Sequence, residues 1–242
     1  MDAIRTVRLT KRYKELVALD GLDLTVKKGE LFSLLGVNGA GKTTAIRLLT
    51  CLSAPTQGEA FVCGHSVTRE QEAVKRLIGV SPQETAVAPN LSVKENLEFL
   101  CGVYGLSACE RARTVDSLVE RFGLASVLKR RAGKLSGGFQ RRVSIAMALV
   151  GTPEVLFLDE PTLALDVLAR RELWDVIRSL KGKTTVVLTT HYMEEAEALS
   201  DRVGILRDGC LLAVGTTEEL KRQTGEEAFE NAFVSIAKEG RI

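Results

Sequence analysis

One stretch constrains this chain more than any other. Gly36-Val37-Asn38-Gly39-Ala40-Gly41-Lys42-Thr43 meets the G-x-x-x-x-G-K-[ST] pattern at every specified position. The apolar run Leu31-Phe32-Ser33-Leu34-Leu35 before it reads as a buried strand, and Ala45-Ile46-Arg47-Leu48-Leu49 after it reads as a helix. In that setting backbone N–H groups can close around an anion, and the helix N-terminus adds a favourable dipole. Gly36, Asn38, Gly39, Ala40 and Gly41 would form the cradle, with Thr44 among the contacting residues. Lys42 would reach the β- and γ-phosphates, and the Thr43 hydroxyl would hold Mg²⁺. A turn that only links strand to helix does not require the full pattern, so a nucleoside triphosphate is the expected ligand.

The 242 residues exceed the usual roughly 100–200 per domain, but open α/β folds often run longer as one unit. Hydrophobic residues make up 45%, enough for a substantial core. With 33 basic and 31 acidic residues the formal net charge is +2, which gives no case for nucleic acid as a partner. Cys51, Cys63, Cys101, Cys109 and Cys210 are odd in number and include no C-x-x-C pair. That usage fits reduced thiols in a cytosolic protein and gives a metal site no support. Met1 to Arg5 carries no signal-like apolar core. No stretch reaches the roughly 18 uninterrupted apolar residues of a spanning helix, so work at a membrane would need another chain to provide the membrane part.

Ile4 to Leu9 alternates and reads as an edge strand, and Leu22 to Val26 alternates again. Short turns between them imply an antiparallel sheet beside the nucleotide core. Tyr13 is then either an adenine platform or a half-buried strand-end tyrosine. Ala60 to Gly64 reads as a short strand. Ile78 to Gln83 reads as a strand ending on a glutamine, which could reach Mg²⁺ or an attacking water, or be a solvated amide. From about Glu84 to Ser136 the character changes. Ser92 and Glu95 form a capping box ahead of one helix, and Ala108 to Phe122 places Val115, Leu118, Val119 and Phe122 on one helical face. This segment reads as a small helical subdomain inserted into an α/β core.

Ser136-Gly137-Gly138 before a helix is a second anion-binding helix start, far in sequence from the first. Val155-Leu156-Phe157-Leu158 runs into Asp159-Glu160, a buried parallel strand with acids at its carboxyl end, where ligands bind in such sheets. Asp159 suits Mg²⁺, and Glu160 suits a general base for water. Thr184 to Thr190 is a β-branched strand followed by His191, expected to contact a γ-phosphate. Arg207-Asp208-Gly209 joins two strands as a hairpin. Thr216 to Thr224 and Glu227 to Ala237 read as terminal helices.

Together these motifs resemble the ATP-binding cassette ATPases, the engines of ABC transporters, over about Ile4 to Gly215. Gly36 to Thr43 looks like the Walker A loop, Gln83 like the Q-loop, and Leu135 to Gln140 like the signature motif. Val155 to Glu160 looks like Walker B with the catalytic glutamate, Leu163 to Asp166 like the D-loop, and His191 like the H-loop. Tyr13 matches the family's adenine-stacking aromatic. The D-loop departs from the pattern, with Leu163 and Ala164 where a small polar residue or glycine is frequent. Thr189 to Glu197 and the end Ala228 to Val234 look like ATPases of ABC-2-type exporters.

The resemblance implies a P-loop NTPase core with a mostly parallel sheet, an antiparallel β subdomain and an inserted helical subdomain at about 84–136. Residues 1–215 would form the nucleotide-binding domain and residues 216–242 a short helical extension. It further implies ATP and Mg²⁺ as ligands, with Thr43, Gln83 and Asp159 around the metal. Glu160, His191 and Gln83 would act on the reaction. ATP would lie between the Walker A loop of one chain and Ser136, Gly137 and Gly138 of a second, most simply an identical copy. A separate membrane-spanning permease would dock near Gln83 and the helical subdomain, placing the chain in the cytoplasm at the inner face of the membrane. Export is favoured over import. The alternatives are a soluble, non-transport cassette ATPase and a regulatory nucleotide-binding module. The first often carries long coiled coils or a second cassette, and neither is present here; Glu160 and His191 argue against the second.

Overall fold

The computed structural model describes residues 1–239. In chain order the elements are β1 (Asp2–Tyr13), β2 (Leu16–Leu22), β3 (Thr25–Lys27), β4 (Leu31–Leu35), α1 (Lys42–Leu49), β5 (Gln57–Val62), β6 (His65–Ser66), α2 (Gln71–Leu77) and β7 (Ile78–Ser81). There follow α3 (Val93–Val103), α4 (Ala108–Arg121), α5 (Gly137–Ala148), β8 (Val155–Asp159), α6 (Val167–Arg178), β9 (Thr185–Thr190), α7 (Met193–Leu199), β10 (Arg202–Arg207), β11 (Cys210–Gly215), α8 (Thr217–Thr224) and α9 (Phe229–Glu239).

Two sheets organise these elements. The six-stranded sheet has the order β11-β10-β4-β9-β8-β7 and is parallel except for the β10–β11 hairpin. The other runs β2-β1-β5-β6, with β3 also on β1, and is antiparallel. The central strands β4, β8 and β9 are buried on both faces, as a parallel sheet covered by helices requires. Their side chains divide by strand alternation. Val155, Phe157 and Val187 join α1 and the antiparallel sheet in one apolar cluster, so α1 is packed between the two sheets. Leu156, Leu158, Val186 and Leu188 face the opposite cluster, with α3, α4, α5 and α6. The terminal helices α8 and α9 share a third cluster with Leu35, Val203 and Ile205.

Two sequence expectations are corrected. Ile4 to Leu9 lies in β1, which pairs β2 and β3 on one side and β5 on the other, so it is a central strand. Alternation reports which faces are buried, not how many strands lie alongside. The strand expected to end on Gln83 ends on Ser81. Pro82 has no N–H to continue a ladder, and Gln83 falls in the loop beyond. The short helices α2 and α7 have no counterpart in the sequence reading.

The segment between β7 and α5 holds α3 and α4, each started by a capping box. Ser92 accepts from the Glu95 N–H and Ser107 from the Glu110 N–H, and each glutamate returns a bond to the cap. The bond from each cap holds its glutamate below the usual carboxylate range.

Candidate active site

The parallel strands deliver their carboxyl ends to one rim. Gly36 follows β4, Gln83 lies just past β7, Glu160 follows β8 and His191 follows β9. Gln83, Glu160 and His191 line a cavity of about 670 Å³. Of the residues singled out from sequence, Tyr13, Asn38, Gly39, Ala40, Gly41, Lys42, Thr43, Thr44, Gln83, Glu160, Leu163 and His191 line it. Gly36 and Asp159 are not in that lining but bond to it, through Lys42 and Thr43 respectively. Ser136, Gly137 and Gly138 do not reach it.

The glycine loop has the geometry of an anion cradle. Gly41 has φ 105°, a conformation that disfavours a side chain, and a Cβ there would lie 2.5 Å from the Ala18 carbonyl oxygen. A Cβ on Gly36 would meet the Leu206 carbonyl oxygen at 2.3 Å. Gly41 is also the N-cap of α1, and no side chain caps that helix, so its first N–H groups face the cavity with the positive end of the dipole.

Lys42 is buried and donates to the carbonyls of Gly36 (2.8 Å) and Val37 (3.2 Å), while its Nζ lies 3.2 Å from Glu160 Oε1. His191 Nδ1 donates to Glu160 Oε2 at 2.8 Å, since an ionised carboxylate can only accept. Glu160 is itself buried and has φ 48°, an unusual conformation for a side chain of that size. Its backbone N–H donates to Thr189 Oγ1 at 3.0 Å, which fixes it at the strand end.

Beside this group, Thr43 Oγ1 donates to Asp159 Oδ1 at 3.2 Å, and Thr189 Oγ1 donates to the same oxygen at 2.5 Å. A hydroxyl and a carboxylate oxygen side by side under the phosphate cradle are a hard-oxygen pair that suits Mg²⁺. Tyr13, also in the lining, is 42% exposed, with Lys11 Nζ 5.0 Å from its ring centroid. Its ring is open to stacking by a planar base. Leu16, Val17, Ala18 and Asp208, which sequence reasoning missed, complete the wall on this side. The advance signal among them was the hairpin turn containing Asp208.

Ser136 is the N-cap of α5, and its side chain makes no capping bond. The helix start is exposed, and Gly138 packs against Ala169 of α6, where a Cβ would come within 3.2 Å. The D-loop residue Ala164 has φ 60°, the left-handed geometry that glycine adopts freely.

The family model described as ABC transporter matches residues 19–163. This chain belongs to the ABC transporter family. It is 45% identical to the daunorubicin resistance ATP-binding protein DrrA3 of Streptomyces coeruleorubidus, over 91% of this chain and 70% of that protein. It is 43% identical to the daunorubicin/doxorubicin resistance ATP-binding protein DrrA of Streptomyces peucetius, over 92% of this chain and 68% of that one. Among solved structures, an ATP-binding subunit of an ABC transporter is similar with TM-score 0.86 and 29% identity, covering 97% of this chain and 99% of its own. A dimeric ATP-binding cassette in a post-hydrolysis state with ADP and Pi is similar with TM-score 0.79 and 29% identity, covering 88% and 98%. The chain is thus an ATP-binding subunit of an ABC transporter. Among the described residues, no helix is long and apolar enough to cross a membrane.

Proposed function

We propose that this cassette hydrolyses ATP to ADP and phosphate, and that two copies closing head to tail around ATP drive a separate membrane-spanning permease in export. The observation that carries the reading is the Glu160 carboxylate held between Lys42 and His191, above the Thr43–Asp159 pair. Lys42 and the α1 N-terminus would bind the β- and γ-phosphates. Glu160 would orient and deprotonate the attacking water, while His191 holds that carboxylate and faces the γ-phosphate. Gln83 would contact the water or the metal, and Tyr13 would stack on adenine. Thr43, Asp159 and Gln83 would hold Mg²⁺, which when bound supplies charge neutralisation for the phosphates. Ser136, Gly137 and Gly138 would complete the site of the partner chain.

An apolar groove supports a docking site for the permease. Leu52, Ile78, Leu100, Tyr104 and Met147 line a cavity of about 320 Å³ between β7 and the helical segment. Phe99 and Val103 on the neighbouring surface are 60% and 67% exposed. Docking there would place the chain at the inner face of the membrane. The names of the drug-resistance relatives favour export of an organic, drug-like cargo.

The test has two parts. Purified chain with Mg²⁺–ATP should release phosphate, and the release should stop with chelator and in Glu160→Gln. A mild-detergent pull-down from native membranes should recover a polytopic membrane protein, and Phe99→Asp should abolish that recovery. Absence of phosphate release from a folded chain that binds ATP would leave a regulatory nucleotide-binding module as the better reading.

A further inference from the structure

Arg141 is a buried cation that none of the phosphate contacts above uses. It lies on α5 and is 5% exposed. Its Nη1 donates to the Pro82 carbonyl at 2.6 Å and its Nη2 to the Gln83 carbonyl at 2.5 Å. Those carbonyls lie past the end of β7, the outermost strand of its sheet. One turn further along α5, the hydroxyls of Ser144 and Ser81 are 2.9 Å apart. The signature helix therefore grips the consecutive residues Ser81, Pro82 and Gln83. Burial pushes the guanidinium pKa down, and the nearby Asp159 and Glu195 carboxylates oppose that shift. A planar fork can bond two successive carbonyls at once, whereas a lysine would offer a single ammonium point.

We propose that Arg141 is a positioning residue: it sets Gln83 at the γ-phosphate end of the cavity and couples that loop to the helix that begins at Ser136. The inference rests on the ATPase reading above. A displacement of Gln83 when nucleotide engages is then carried along α5 to the surface offered to the second chain. This bidentate contact joins α5, which begins at Ser136, to a loop whose Gln83 lines the same cavity as the start of α1.

The experiment is a double-mutant cycle in the full chain: wild type, Arg141→Ala, Gln83→Ala and both together, with kcat and KM measured for Mg²⁺–ATP. A misplaced Gln83 should cost about 10- to 100-fold in kcat with little change in KM. Because Arg141 acts through Gln83, the double variant should be no slower than the slower single one. Guanidinium ion at non-denaturing concentration should restore part of the Arg141→Ala rate and none of the Gln83→Ala rate. Losses that multiply in the double variant, or no rescue in a folded Arg141→Ala, would overturn the proposal. If Arg141→Ala fails to fold, Arg141→Lys carries the same cycle with a weaker, single-point contact. Hydrogen exchange supplies a readout independent of hydrolysis. Amides of residues 83–91 should exchange faster in the variant than in wild type, with the β8 and β9 amides unchanged, and equal exchange would overturn the proposal. A wild type that releases no phosphate would count against the ATPase reading alone, and the exchange comparison would still decide whether Arg141 holds the loop.

Discussion

His191 Nδ1 donates to Glu160 Oε2 at 2.8 Å, while the other oxygen of the same carboxylate lies 3.2 Å from Lys42 Nζ. One carboxylate thus joins the phosphate-loop lysine to the histidine at the end of β9. Glu160→Gln should preserve ATP binding while turnover falls by roughly 10²–10⁴, the usual share of a general base. Single-turnover cleavage and equilibrium binding measure the two separately. Cleavage at the wild-type rate would remove Glu160 from the reaction, and loss of binding would move it to the metal.

The Tyr13 ring lines the cavity, exposed and beside Lys11. Tyr13→Ala should weaken ATP binding by about 1–3 kcal/mol, and Tyr13→Trp should retain most of the affinity. Titration with a fluorescent ATP analogue checks both. Equal affinity in a folded alanine variant would leave Tyr13 as a strand-end residue only.

What could be read from sequence was what is written contiguously. The phosphate loop, the Asp159-Glu160 pair and His191 each end an apolar strand, so pattern and position coincided. The Ser92–Glu95 box was legible for the same reason. Features made by distant chain segments were not. Leu16, Val17 and Ala18 reach the cavity because the antiparallel sheet folds back over the loop, and Asp208 because Gly209 lies against Ala18. Arg141 was hidden among surface-like arginines, since its partners are backbone carbonyls of another element and carbonyls leave no mark in sequence. Gln83 does line the cavity, but the proline before it ends the strand two residues short of it.

Glu195 is fully buried at the start of α7, with Trp174 Nε1 donating to its Oε1 at 3.1 Å. Burial raises its pKa above the ordinary 4.5, and the Glu160 charge raises it further. A raised acid pKa means that the folded chain keeps a proton the unfolded chain releases. Its contribution to stability is therefore neutral below the unfolded value and becomes increasingly unfavourable as pH rises towards the folded value. Glu195→Gln mimics the protonated form. Its Tm should match wild type near pH 4 and exceed it by a growing margin as pH rises above about 4.5. A constant difference across that range would show that Glu195 does not titrate on unfolding.

Ala164 occupies φ 60° in the loop between Glu160 and α6. Left-handed geometry costs an L-residue about 1–2 kcal/mol, and glycine's extra unfolded-state freedom cancels part of the gain from relieving it. Ala164→Gly should therefore stabilise the fold by about 0.5–1 kcal/mol, and Ala164→Val should destabilise it. Urea titration of both variants is sufficient. A glycine variant less stable than wild type would show that the loop is held by contacts of the alanine methyl.

The last prediction concerns where Ser136 acts. Its side chain makes no cap bond, its helix start is exposed, and neither it nor Gly137 or Gly138 lines the cavity of its own chain. Those N–H groups are available to a phosphate brought by another molecule. If the site is composite, Lys42→Ala and Ser136→Arg break the two halves of one site when they are placed on opposite chains. In a covalently linked dimer with one substitution on each chain, one site carries both defects and the other is intact, so ATPase activity should persist. In a linked dimer of wild type with the doubly substituted chain, each site carries one defect, and activity should vanish. A site contained within one chain predicts the reverse for both. Then the first dimer has two damaged sites and the second has one whole site. Phosphate release from the two linked dimers, beside a linked wild-type pair, separates the arrangements without reference to dimer affinity. Activity in neither dimer, with the wild-type pair active, would show instead that both sites must fire together.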